Sequence, residues 1–466
     1  MPFYSFEFIF IFLPLVVCGC AALGRLSSDA AKVWLIVSSL VFYSWSDPRA
    51  LPILALSIVF NHWISAGLGP DTAHSENRLR LALAANILAL GIFKYGGFAS
   101  ANSNAILGTH WSFPALILPL GISFFTVQQI MFLVDRHQGL VPQARFLDYT
   151  LFVSWFPYIV AGPITRWKDV IPQLHTEKMR LCDQNLARGT ILFILGLAKK
   201  VILSSAFSHW ADAGFEHPAG LGLMGAWLAT SGFALQIYFD FSGYTDMARG
   251  AALLMNVKLP ENFNDPFRSL SIIEFWQRWH ISLTNFITNY IYTPILRARR
   301  PTFRRAIFAT IVTMTIAGIW HGASWGFALF GLWHGVGLAV NNMWRRYKKT
   351  VPAALAWCAT AAFLLVGFAL FRAHTLADAW IVIRSMFAPA HLGGPTFVEM
   401  MADREPTRLV SVLAGISLLF YPSTASQVSM QARLRLRLAA ALAVCLFVCL
   451  IWMNSKPATG FIYRQF

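Results

Sequence analysis

Apolar runs of about 16 to 25 residues recur from one end of this chain to the other, each long enough to cross roughly 30 Å of hydrocarbon as a helix. Backbone at that depth has to close its hydrogen bonds within the segment, so the expected fold class is all-α, a polytopic membrane protein. Of 466 residues, 57% are hydrophobic and 12% charged, about half the charged fraction of an ordinary soluble domain. The first run, "FYSFEFIFIFLPLVVCGC", has no basic stretch before it and no clean small-residue cleavage site. It therefore reads as a retained span and not as a signal peptide. No internal repeat or long linker is visible, and residues 1–466 are expected to form a single domain.

The formal net charge of +16 comes from Lys and Arg in short loops between apolar runs, where membrane topology accounts for them and no nucleic-acid partner is needed. The clusters are Arg25/Lys32, Arg78/Arg80, Arg136/Arg145, Arg166/Lys168/Lys178/Arg180, Arg297 to Arg305, Arg345 to Lys349, and Arg433/Arg435/Arg437. Most neighbouring clusters are separated by two spans: 31–46 with 50–68, 81–100 with 113–134, 189–206 with 221–245, and 352–372 with 408–424. All clusters then face the cytoplasm and the N-terminus lies outside. Two segments break this count. Residues 151–164 and 267–295 each begin and end beside basic residues, so neither can cross once, and each is expected to be re-entrant or interfacial. Such backbone survives at depth only where it is buried in protein or lines a wet cavity. Between Arg305 and Arg345 there is room for two legs, with "WHGASWG" at their junction.

That junction belongs to "GIWHGASWGF", Gly318 to Phe327. A histidine in an apolar run needs a partner or a function. His321 is flanked by a glycine that permits close approach and by Trp320 and Trp325, which could wall a pocket. His280 lies in a second polar concentration, Glu261 to Ile295. If that region is one helix, Trp276 and His280 share a face, as do Glu274 and Arg278. Anchoring at the headgroup level explains Trp276 and Arg278 equally well, and a packed, hydrogen-bonded role explains His280 equally well. His334, in "GLWHGVG", reads as packed against a neighbouring helix. Asp240 stands near the end of an apolar span, "QIYFDFSGYTD", as either a functional carboxylate or half of a buried ion pair. No phosphate loop, Gly-x-Ser-x-Gly elbow, metal-ligand spacing or disulfide framework occurs among these segments or the six cysteines. No metal is expected.

Read in order, "LVFYSWSDPR", "FKYGGF", "LPLGISFFTVQQIMFLVD", "WFPYIVAGPI", "GLAKKVI", "QIYFDFSGYTDMARG", "ENFNDPF", "EFWQRWHISL", "GIWHGASWGF" and "LFRA" resemble the membrane-bound O-acyltransferase (MBOAT) superfamily across nearly the whole chain. The likeness is to its bacterial branch of alginate O-acetyltransferases and D-alanyl-lipoteichoic acid transfer proteins. It implies a ring of about 11 to 12 helices with re-entrant segments around a funnel, in the bacterial inner membrane. It also implies that His321 is the catalytic histidine and His280 a second important polar residue. By the same resemblance the co-substrate is acetyl-CoA or a similar acyl thioester, with no resident cofactor. The acceptor is an exopolysaccharide such as alginate or cellulose, reached directly or through a periplasmic acetyltransferase partner. One departure falls after His280: relatives tend to read Arg-Asp-Tyr-Leu-Tyr-Ile-Pro-Leu-Gly-Gly, whereas this chain reads "TNYIYTPILRARR", a change bearing on donor or partner recognition. The rival reading is a transporter or flippase that moves a polysaccharide or lipid-linked precursor without covalent chemistry. It lacks an evident two-half repeat. A non-catalytic scaffold for polysaccharide export is the third reading, and the retained Trp-His-Gly weighs against it.

Overall fold

The computed structural model describes residues 1–114, 116–174, 181–347, 350–388, 392–402, 405–420, 424–431, 436–455 and 462. Of the basic clusters, Lys178, Arg180, Lys348, Lys349, Arg433 and Arg435 lie outside the described residues, as do positions 115 and 421–423 of two expected spans. Among the described residues there is no β-strand, only an isolated antiparallel bridge between Phe263 and Trp279. The helices Ser75–Leu107, Asp183–Glu216, Phe303–His321, Ala353–Arg372 and Leu436–Ser455 are long and apolar enough to cross a bilayer. Only 11% of the apolar window of Ser75–Leu107 and 6% of that of Leu436–Ser455 are covered by protein. In water such faces would be a severe liability, and against lipid they cost nothing. The chain is an all-α, multi-pass membrane protein.

It divides into two compact units. The first comprises Met1–Ile194, Tyr244–Pro260 and Ser429–Leu436, and its principal helices are α1 (Leu13–Gly24), α2 (Ser28–Ser44), α3 (Leu51–Ser65), α4 (Ser75–Leu107), α5 (Ile122–His137), α6 (Phe146–Ser154) and α7 (Phe156–Ile159). Ser27 starts α2 by accepting from the Ala30 amide, and α1, with Pro14 as its second residue, continues directly from a π-helical turn, Phe8–Phe12. Its aromatic core includes Phe3, Phe8, Phe42 and Phe156, with ring centroids 4.7 Å apart for Phe3–Phe8 and 5.6 Å for Phe42–Phe156.

The segment 151–164 is not one continuous helix. Helix α6 stops at Ser154, α7 is a single turn, and Leu151 through Ile159 are buried. The break is held by specific partners: the Phe156 amide donates to Ser39 Oγ at 3.0 Å. On the other side the backbone of Gly121 (φ 72°) approaches so closely that a Cβ would lie 2.1 Å from the Ile159 carbonyl oxygen. One expected span needs correction. Of the described residues in 113–134 only those from Ile122 onward are helical, because Pro114 and Pro119 deprive the preceding stretch of donors and Gly121 turns the chain left-handed.

The second unit comprises Leu195–Gly243, Glu261–Val428 and Arg437–Phe466. It contains the C-terminal part of α8 (Asp183–Glu216), most of α9 (Leu223–Leu254), and then α10 (Ile272–Arg278), α11 (Ile281–Ile287), α12 (Phe303–His321), α13 (Trp325–Arg346) and α14 (Ala353–Arg372). Helices α12 and α13 are the two legs expected between Arg305 and Arg345, joined by residues 322–324. They pack almost backbone to backbone. A Cβ on Gly318 would meet the Phe327 oxygen at 2.3 Å and the Gly331 Cα at 2.7 Å, so the glycines are what allow the hairpin to close.

Candidate active site

The fold of the hairpin places His321. Helix α12 ends on this residue because Gly322 adopts an extended conformation (φ −168°, ψ 162°) that α-helix cannot continue through. The closing hairpin and the end of α14 then surround the imidazole with rings. Centroid distances from His321 are 5.1 Å to Trp320, 5.4 Å to Phe371 and 6.2 Å to Phe330. The residue is 5% exposed.

His280 comes to the same place from a different element. Local periodicity predicts one helix carrying both Trp276 and His280, and here the structure corrects the sequence. Helix α10, capped by the Ser271 hydroxyl, stops at Arg278; Trp279 is extended; and His280 is left-handed at φ 44° and ψ 52° before α11 begins. A left-handed conformation costs a residue with a Cβ about 1–2 kcal/mol, so the break is imposed from outside the local sequence. Trp276 and His280 consequently do not share a helix face. The reading survives for Glu274 and Arg278, whose ion pair measures 2.8 Å.

The imidazole of His280 lies with its ring centroid 6.5 Å from that of His321, 6.4 Å from Trp320 and 4.7 Å, edge to face, from Phe241 of α9. It is 0% exposed, and neither ring nitrogen has a hydrogen-bond partner among the described residues. Leaving such a group unsatisfied costs about 1–3 kcal/mol. A buried imidazole of this kind calls for an explanation, and a catalytic role is one that fits an enclosed site.

The other candidates fall elsewhere. Trp276 donates its indole N–H to Nδ1 of His334 at 3.2 Å, and His334 is further enclosed by Phe330 and Phe363. His334 is thus the packed histidine its setting suggests. His334→Ala is expected to lower stability by about 1–3 kcal/mol by stripping Trp276 of its acceptor, while turnover per folded molecule stays near normal. Thermal melting in detergent beside an activity assay checks both halves. Trp325, 56% exposed, opens α13. Asp240 is fully buried and paired with the equally buried Lys200, and it also accepts from the Ile462 amide at 2.9 Å. Lys200, on a π-helical turn (Lys199–Leu203) within α8, escaped the sequence reading as a partner. The signal was a lysine inside an apolar run, in "GLAKKVI". Phe241 and Phe371 were likewise not singled out, since aromatic residues on apolar helices carry no distinguishing pattern.

Two histidines walled by aromatic rings inside a membrane protein decide between a chemical site and a transport path only with help from relatives. The model of MBOAT, the membrane-bound O-acyltransferase family, matches residues 138–375, which includes every residue of this constellation. The chain is a member of the membrane-bound O-acyltransferase family. Among similar proteins, a peptidoglycan O-acetyltransferase of Helicobacter pylori is 38% identical over 415 residues, covering 81% of this chain and 78% of that protein. A probable alginate O-acetylase of Azotobacter vinelandii is 36% identical over 435 residues, covering 90% and 83%. A teichoic acid D-alanyltransferase of Bacillus subtilis is 27% identical over 393 residues, covering 79% and 97%. As an O-acyltransferase of this family, the protein is an enzyme, which sets aside the non-covalent flippase and the scaffold.

Proposed function

We propose that this O-acyltransferase acts on a polysaccharide and moves an acyl group, most simply acetyl, from a cytoplasmic thioester to its hydroxyls, with an extracytoplasmic acetyltransferase partner completing delivery. The observation that carries the reading is the enclosed pair, His280 with both nitrogens unpartnered among the described residues and His321 within 6.5 Å of it. The acetyl preference and the polysaccharide acceptor are supported by the names of the relatives in Helicobacter pylori and Azotobacter vinelandii. Alignments that run over most of the chain support residues 1–466 acting as one functional domain. An inner-membrane location follows from a thioester donor that is made in the cytoplasm.

In this reading His321 takes the proton of the acceptor hydroxyl as its oxygen bonds to the thioester carbonyl carbon. His280 donates to the carbonyl oxygen as negative charge develops there. The C–S bond then breaks, the imidazolium returns its proton to the leaving thiolate, and ester and free thiol are the products. No resident cofactor or metal takes part. Trp320 borders the histidine pair, and Trp276, Arg278 and Asp240 hold structural partners: His334, Glu274 and Lys200.

The donor is the part most open to test. Acyl-CoA carries phosphates, and the basic loops offer a screened attraction for them. Binding of a non-hydrolysable acetyl-CoA analogue to the purified protein is expected to weaken steadily as salt rises from about 0.05 to 0.5 M. Protein that binds no acyl thioester at any ionic strength contradicts a cytoplasmic thioester donor.

A further inference from the structure

The left-handed backbone at His280 is disfavoured for any residue with a Cβ and persists only where surrounding contacts over-determine it. Those contacts come from Asn262, in the segment "ENFNDPF". Its carbonyl oxygen accepts from the Ile281 amide at 3.0 Å, and its side-chain Oδ1 accepts from the Ser282 amide at 3.2 Å. Two residues on, the Asn264 amide donates to the Arg278 carbonyl at 3.0 Å. Between them Phe263 forms the antiparallel bridge to Trp279, with the two rings edge to face at 5.0 Å. Residues 262–264 therefore grip the chain on both sides of His280.

The arrangement is unusual for a helix start. The residue at the N-cap ordinarily uses its own side chain to accept from the second or third amide of the helix. His280 occupies that position for α11 and makes no such bond. Asn262 accepts from Ser282, the second amide, in its place. The imidazole is thereby released from capping and faces Phe241, Trp320 and His321. Asn262 is 1% exposed, and its Nδ2 has no hydrogen-bond partner among the described residues, so the amide is committed through its oxygen.

We propose that Asn262 is a positioning residue for acyl transfer: it caps α11 from a distance and fixes the backbone of His280 so that the imidazole reaches the reacting carbonyl. The proposal rests on the reading that His280 takes part in the reaction. It implies that the loss caused by removing the Asn262 oxygen passes through His280, since misplacing a reacting group by about 1 Å costs on the order of 10²-fold in rate.

The test uses full-length protein in its native membranes, comparing Asn262→Ala, Asn262→Asp, His280→Ala and the double variant Asn262→Ala/His280→Ala. Label transferred from a radiolabelled acetyl thioester is measured per folded molecule, with thermal midpoints taken alongside. Asn262→Ala is expected to lose on the order of 10²-fold in kcat, and Asn262→Asp, which keeps an acceptor oxygen, to stay within about threefold of the parent. In the His280→Ala background Asn262→Ala should cost less than about twofold more, because coupled residues are not additive. Equal losses in both backgrounds would show a merely structural role and overturn the proposal, as would an Asn262→Ala protein of normal rate. If Asn262→Ala does not accumulate, Asn262→Asp decides: folded and active supports the proposal, folded and inactive overturns it. A His280→Ala protein of normal rate would instead remove the reading on which the proposal rests, whatever the Asn262 variants do.

Discussion

His321→Ala is expected to lose two to four orders of magnitude in acyl transfer while still inserting and folding. That range is the usual worth of a positioned general base. Folding should survive because the imidazole sits among rings, those of Trp320, Phe330 and Phe371, and the hairpin that presents it is closed by the backbone contact of Gly318 with Gly331. A packing histidine gives the reverse pattern, with stability lowered and turnover per folded molecule kept. His334, held by Trp276, supplies that comparison on the neighbouring helix. Extraction of both variants in mild detergent, with melting and transfer rates measured on the same samples, separates the two.

The second large effect concerns stability. Lys200 and Asp240 form an ion pair with both side chains 0% exposed. Removing one partner of such a pair leaves a charge without compensation and costs about 3–5 kcal/mol, whereas replacing both with apolar residues of similar volume is close to neutral. Lys200→Met is therefore expected to abolish most folded protein, and Lys200→Met/Asp240→Leu to recover it. The recovered double variant should retain transfer activity, because in the proposed reaction neither the proton nor the acyl group passes through either residue. Folded yield from membranes and thermal midpoints check the first expectation. A Lys200→Met protein as stable as the parent contradicts it.

What the sequence made legible follows from how local the cause is. The hairpin at His321 could be read from the count of basic loops, because charge placement demands an even number of crossings; the glycine contact that closes it, Gly318 on Gly331, could not. The break at 151–164 was legible for the same reason, though its partners, Ser39 and Gly121, were not. The face shared by Trp276 and His280 was misread because periodicity assumes an unbroken helix, and the break is imposed by Asn262 and Asn264 through bonds that no local pattern records. Asp240 was recognised as needing a partner. That partner is Lys200, 40 positions earlier in the chain, and only the packing of α8 on α9 brings it there. There Gly243 comes so close that a Cβ would stand 2.6 Å from the Gly196 oxygen. The pairing of His280 with His321 was an implication of family resemblance alone until the fold placed their rings 6.5 Å apart.

The central claim is that the histidine pair performs covalent transfer from a thioester. The direct measurement follows thiol release and ester formation together, in native membranes carrying the full-length protein and a radiolabelled acetyl thioester. With the parent protein, one thiol should appear for each acetyl ester found on acceptor hydroxyls, and both should fall by at least about a hundredfold in folded His321→Ala. A folded, correctly inserted His321→Ala protein that still forms ester at the parent's rate would contradict the claim.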